Sequence, residues 1–207
     1  IAALPHFAKG DAAVLAEATR RFDAFVGGAP ELPSEYQQPV FKLVLAEGGE
    51  AEYAKILALF RTRPLNEEKK AALIGLGAAP TPALRTTALE FAMSDEVKLQ
   101  DFFYLALSMQ GSSPDGGEAT WAFFREHVAR YEEKLKDAGS SLMDAVIVGA
   151  ARSFATREKA AEVRAFFDGH PMPRSERKIA QIVEGIEINA KYLETLTASG
   201  ALAWLEK

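Results

Sequence analysis

The chain has no cysteine among its 207 residues. That removes disulfides, cysteine-ligated zinc and a thiol nucleophile together. Acceptors of the form Asn-x-Ser/Thr are missing too, since Asn66 is followed by Glu-Glu and Asn189 by Ala-Lys. Both absences point to a cytoplasmic protein rather than a secreted one. No apolar run reaches the roughly 18–20 residues that a bilayer span requires, and the first residues lack a signal-peptide layout, so no membrane partner is expected. Positive charge is in deficit, with 24 Lys and Arg against 29 Asp and Glu for a net charge of −5. A phosphate-binding surface needs the opposite sign, which argues against nucleic acid as a partner. The first residue is Ile1 rather than Met, which suggests a trimmed, processed or truncated chain.

Recognisable reaction centres are also lacking. The three histidines, His6, His127 and His170, form no H-E-x-x-H. Glu126 and His127 are adjacent, so their side chains diverge by about 100° around a helix and would not share a metal. His127 reads as a surface residue of a long helix and His170, before Pro171, as a corner. No metal site is expected in this chain. There is no G-x-S-x-G elbow and no strand to present one. Gly75-Leu76-Gly77 lacks the preceding strand and third glycine of a dinucleotide loop, and reads as a helix end. Acidic pairs such as Asp95-Glu96 and Glu132-Glu133 fall where helix dipoles and solvated faces explain them.

What is present is helical periodicity. Val14, Ala18, Phe22 and Phe25 recur at helical spacing, as do Trp121, Phe124, Val128, Tyr131 and Leu135. Ile179, Ile182, Val183, Ile186, Ala190 and Leu193 make the longest stripe. Each stripe demands a partner helix, and no segment alternates with the period of a strand. Helix starts are marked by Thr81-Pro82, by Ser94 before Asp95-Glu96, and by Asn66 before Glu67-Glu68, with Asp11, Ser34, Ser140 and Thr156 as further caps. These signals predict helices over 11–26, 34–47, 50–62, 66–76, 81–92, 95–109, 116–136, 140–153, 157–168 and 174–198, with a short turn near Leu202. Through the first half, starts recur about every 16 residues, so a helix pair repeats about every 32, as in stacked HEAT or armadillo hairpins. Short connections make neighbours antiparallel. The expected fold is all-α, an α-solenoid of antiparallel hairpins. With 48% hydrophobic residues it fits a single domain over 1–207.

The helix over 95–109 stands apart. Val97, Leu99, Phe102, Phe103, Leu105, Ala106, Leu107 and Met109 leave it apolar almost all round, which predicts burial on several sides. The pairs Phe102-Phe103, Phe123-Phe124 and Phe166-Phe167 read as core. Gly169-His170-Pro171-Met172-Pro173 reads as a rigid corner before the last long helix.

Ordered segments resemble the C-terminal helical domain of the puromycin-sensitive type of zinc aminopeptidase, gluzincins akin to aminopeptidase N. The clearest is LEFAMSDEVKLQD at 89–101. The others are VLAEATRRFDAF, PVFKLVLAEGG, NEEKKAALIGLGAAPTPAL, EATWAFFREH and SFATREKAAEVRAFFDGHPMPRSER. INAKYL is similar to the family's final Asn-Ala-Trp-Leu element, with Tyr192 in place of Trp. The resemblance implies an upstream thermolysin-like domain that holds zinc through H-E-x-x-H and a distant Glu, and binds peptides with a G-A-M-E-N motif. None of these motifs occurs here. It further implies a helical superhelix that closes over the active site, encloses a cavity and governs access of peptide substrates. Zinc would belong to the parent enzyme, and this chain would be inactive alone. Within it, the resemblance points to Arg152, Ser153 and Phe154 as cavity residues, with Gln100 and Tyr104 as further candidates. A guanidinium such as that of Arg152 suits a peptide carboxylate, and equally a helix-end contact.

Two other readings stand beside this one. The spacing alone fits a stand-alone HEAT-like scaffold that binds a protein, and serines and carboxylates leave a self-contained hydrolase as a third. A helical stack that is cut exposes an apolar end, so self-association is also expected.

Overall fold

The computed structural model describes residues 10–28 and 32–200. His6 and the expected turn near Leu202 lie outside these described residues. Among the described residues there are eleven α-helices and one 3-10 turn, and no strand. The chain divides after Phe123 into two compact units.

The first unit holds α1 (Ala12–Val26), α2 (Ser34–Glu47), α3 (Glu50–Thr62), α4 (Asn66–Leu76), α5 (Pro82–Met93), α6 (Phe103–Gln110) and most of α7 (Pro114–Glu126). Asp11 starts α1 by accepting the N–H groups of Ala13 and Val14 at 2.9 and 3.1 Å, two of the donors a helix start leaves unsatisfied. Thr81 does the same for α5 through the Leu84 N–H, with Pro82 at the first helical position. Each helix packs on the next or the next but one: α1 on α2, α2 on α4, α3 on α4, α4 on α6, and α5 on α6. That is the pairing of an α-solenoid. Phe22 of α1 meets Phe41 of α2 edge to face at 5.8 Å between ring centroids.

The middle of this stack is α4, which buries Ala71, Ala72, Leu73, Gly75 and Leu76. Glycine is required at its end by close approach. A Cβ on Gly75 would lie 2.7 Å from the Phe41 Cβ, and one on Gly77 2.6 Å from the Ser108 Cβ of α6. Ser108 also donates its hydroxyl to the Ile74 carbonyl at 2.7 Å, which accepts the Gly77 N–H as well, at 3.2 Å. Gly75-Leu76-Gly77 is thus the expected helix end, and it is a packing seam as well. Arg85 of α5 is buried and donates to the carbonyls of Ala79 and Pro80 at 3.1 and 2.9 Å. It ties the connection before α5 to the helix itself, a role that the sequence pattern does not show.

The second unit contains α8 (Val128–Leu135), α9 (Ser140–Ala151), α10 (Arg157–Gly169), the turn Pro173–Ser175 and α11 (Glu176–Ala198). Its aromatic core is built on Phe124, whose ring lies 5.5, 5.9 and 6.0 Å from those of Tyr131, Phe166 and Phe167. Helix α10 packs on α11, and α9 on α8 and α11. Arg157 forms a two-point ion pair with Glu194 at 2.8 and 3.0 Å, and Arg164 meets Glu187 at 2.8 Å. Both pairs are exposed and link α10 to α11.

Two predicted helices differ from the observed ones. Residues 94–102 form turns, and α6 begins only at Phe103. Within the turns Val97 is buried, but Lys98, Leu99 and Gln100 are exposed. Glu96 takes Arg61 at 2.7 and 2.8 Å, and Lys98 donates to Asn66 Oδ1 at 2.8 Å. A helix buried on several sides would have denied these polar side chains their partners on α3 and α4. Ser94, expected to start that helix, instead ends α5, with its hydroxyl on the Phe91 carbonyl at 2.7 Å. Asn66, likewise expected as a cap, is spent on Lys98. The predicted helix over 116–136 is broken at His127, which has φ −115° and ψ 19°. His127 is therefore a half-buried break between α7 and α8, not a surface residue of one long helix.

Candidate functional site

The candidate residues fall into two sets, one in each unit. Arg152 and Ser153 follow α9 directly, and both are exposed. Arg152 ends the helix, its N–H on the Val148 carbonyl at 3.3 Å. Its positive charge suits the negative end of the α9 dipole. Among the described residues its guanidinium meets no carboxylate. Phe154 differs from its neighbours, being 7% exposed. The Lys159 ammonium lies 4.9 Å from its ring centroid, and its carbonyl accepts from Asn189 Nδ2 of α11 at 3.3 Å. Phe154 thus anchors the segment, and Arg152 and Ser153 are what the segment presents to solvent.

Gln100 and Tyr104 belong to the first unit. Gln100 is exposed in the turns before α6, and Tyr104 is half-buried in the first turn of that helix. The Tyr104 ring lies 4.4 Å from that of Phe103, and the Lys70 ammonium stands 4.9 Å from its centroid, a cation–π geometry. A small hollow of about 60 Å³ nearby is walled by Lys70, Lys98 and Asp101. It is too small for a peptide side chain of any size.

Larger hollows occur in the second unit, where the sequence offered only the corner at 169–173 as a signal. A groove of about 620 Å³ runs between α10 and α11 over Phe167, Met172, Ile179 and Val183, with Asp168 and Glu184 on its rim. A second, of about 380 Å³, lies between α8, α9 and the 3-10 turn and is lined by Leu135, Met143 and Ser175. Pro171, Met172 and Pro173 form a wall common to both. His170 is at that corner as expected, its ring stacked on Phe166 at 4.5 Å. Neither hollow is lined by Arg152, Ser153 or Phe154.

Among the described residues no three His, Asp or Glu side chains gather where they could hold a metal ion. The zinc that the family resemblance implies for the parent enzyme therefore finds no donor set among the described residues. No described helix is long and apolar enough to cross a membrane.

A stack of packed helices is the class that the fold defines, and comparison with known proteins gives it a family. Residues 2–188 match the family described as ERAP1-like C-terminal domain. The chain belongs to that family, the helical C-terminal part of the M1 aminopeptidases. It is 32% identical to Aminopeptidase M1 of Arabidopsis thaliana over 197 residues, covering 92% of this chain and 22% of that protein. Against Puromycin-sensitive aminopeptidase of Caenorhabditis elegans it is 26% identical, over 86% of this chain and 19% of the relative. Alanine/arginine aminopeptidase of Saccharomyces cerevisiae is likewise 26% identical, over 85% and 20%. The chain spans about a fifth of the length of these relatives.

Proposed function

We propose that this chain is the non-catalytic C-terminal domain of a cytoplasmic zinc aminopeptidase, one that removes N-terminal residues from peptides. In this reading an upstream thermolysin-like domain of the same protein holds the zinc and performs the hydrolysis. The helical domain encloses the active-site cavity and governs which peptides enter. The observation that carries the reading is the family match over 2–188 in a chain that spans only a fifth of aminopeptidase relatives. The lack of any H-E-x-x-H in the sequence agrees with it.

On this reading Arg152 and Ser153 contact the distal part of a peptide, with Phe154 holding their segment in place. An exposed, unpaired guanidinium offers a planar fork of donors to a carboxylate. Gln100 and Tyr104 are further cavity candidates, presenting an amide from the turns before α6 and a phenol from its first turn.

The test has two arms. The chain alone, assayed on aminoacyl-coumarin substrates with and without zinc, is expected to show no turnover, and robust zinc-dependent turnover would overturn the reading. In the full-length protein, Arg152→Ala is expected to raise KM for long peptides several-fold and to leave aminoacyl-coumarin hydrolysis unchanged. Equal effects on both substrates would remove Arg152 from peptide contact. A full-length protein without a zinc-binding segment would favour the stand-alone protein-binding scaffold.

A further inference from the structure

The groove between α10 and α11 combines an apolar floor with walls of one charge. Phe167, Met172, Ile179 and Val183 make the floor, and the borders carry Asp168, Glu176, Glu184 and Glu187 against a single cation, Arg164. The neighbouring hollow shares the Pro171–Pro173 wall, yet it is bordered by Glu132, Lys136 and Arg174. The excess of carboxylates therefore belongs to the groove and not to the corner as a whole. Arg177 and Lys178 of α11 line neither hollow.

The fold accounts for only two of these four carboxylates. Glu187 takes Arg164 at 2.8 Å, which occupies the one cation of the groove. Glu176 stands in the first turn of α11, where the positive end of the helix dipole favours it. Asp168 and Glu184 have no such reason. Both are exposed, and neither side chain has an ion-pair or hydrogen-bond partner among the described residues. Asp168 is moreover in the last turn of α10, the end at which a helix dipole disfavours negative charge. One of the two stands on each helix, with the apolar floor between them.

We propose that this groove receives a basic amphipathic helix of a partner protein, with its apolar face on the floor and its Lys or Arg side chains against Asp168 and Glu184. Charge and dimensions select this occupant. Lysine and arginine lay their aliphatic stems along apolar surface and keep the cationic head at its edge, which is the order of floor and rim here. From Glu176 to Glu187 the α11 wall runs about 16 Å, at about 1.5 Å per residue, the length of three turns of a docked helix. The volume of about 620 Å³ takes the row of apolar side chains from one face of such a helix. The same carboxylates repel the phosphates of nucleic acid and of anionic lipid. No hydrolytic step enters the proposal, so it stands or falls apart from the aminopeptidase reading.

The probe is a fluorescein-labelled amphipathic helical peptide of leucine and lysine, titrated into the intact chain and followed by anisotropy, beside the same peptide with Glu in place of Lys. Saturable binding of the lysine peptide and none of the glutamate peptide is expected. Asp168→Lys/Glu184→Lys should weaken binding about tenfold or more. Glu47→Lys/Glu67→Lys, an equal change of charge on exposed residues of the first unit, should leave it within about twofold. Ala180 is also in the groove and exposed; Ala180→Phe fills the groove without altering its charge and should weaken binding several-fold. Circular dichroism checks the fold of each variant. No saturable binding of the lysine peptide overturns the proposal, as does equal loss in the two charge-reversed variants or binding indifferent to Ala180→Phe. A concentration-dependent dimer in sedimentation that Ala180→Phe abolishes also overturns it, by giving the groove to a second copy. In the full-length protein, a rise in KM for long basic peptides with Asp168→Lys/Glu184→Lys would give the groove to substrate and overturn it too.

Discussion

Helices α4 and α11 belong to one chain and are held by opposite means. Helix α4 has 11 residues, five of them buried, whereas α11 has 23 residues and only four buried. The shorter helix lies between α2 and α6 and is fixed by close backbone approach. The longer one is packed along part of one face and tied by exposed ion pairs to α10. Helix length therefore says little about how firmly an element is held; the number of covered faces says much more.

The largest test of that contrast is a pair of leucines. Leu73 of α4 is fully buried and Leu193 of α11 is 42% exposed. Leu73→Ala is expected to cost about 2–5 kcal/mol, from lost burial and the cavity left behind. Leu193→Ala should stay within about 0.5 kcal/mol. Chemical denaturation measures both, and equal losses would break the contrast.

A pair of arginines should give a smaller difference. Arg85, 8% exposed, is the charged donor to two loop carbonyls. Arg85→Ala is expected to cost about 1.5–3 kcal/mol, the range for hydrogen bonds to charged groups. Lysine should restore only part, because it lacks the fork that reaches both carbonyls. Arg157, in its exposed pair with Glu194, is expected to leave the melting temperature unchanged when replaced by Ala, above all in high salt.

The smallest effect concerns a hydroxyl in each unit. Tyr53 Oη and Ser175 Oγ are buried with no hydrogen-bond partner among the described residues. Tyr53→Phe is expected to stabilise by about 1 kcal/mol, since it removes a buried donor left unsatisfied; Ser175→Ala should act in the same direction. Burial pushes the Tyr53 phenol from 10.0 up to about 12. A raised value favours the neutral phenol in the folded state, so its contribution is complete below pH 10 and is lost as pH rises through 12. The advantage of Tyr53→Phe should therefore widen over that range, which thermal melts at stepped pH would reveal.

Much of the fold was legible because local chemistry and packing agree. The bounds 34–47, 50–62 and 66–76 match the observed helices. Asp11, Thr81 and Thr156 cap as their side chains suggest. Reading failed where partners far along the chain decide. Residues 95–102 have helical composition, yet Arg61 and Asn66 hold Glu96 and Lys98 in turns. Nothing local marks the break at His127, which carries neither glycine nor proline. The candidate site was legible only as a segment. That Arg152 is free and Phe154 buried depends on α9 and α11 meeting across a gap of sequence, which periodicity does not encode. The Pro171–Pro173 corner was readable as a stop, but not as a wall between two hollows.

The glycine seam of α4 has a mechanical consequence. With Gly75 against Phe41 on one side and Gly77 against Ser108 on the other, α4 has no slack toward either neighbour. Close-packed interiors pass displacement on instead of absorbing it. A displacement of α6 should therefore be passed through α4 to α2, so these three helices should shift together.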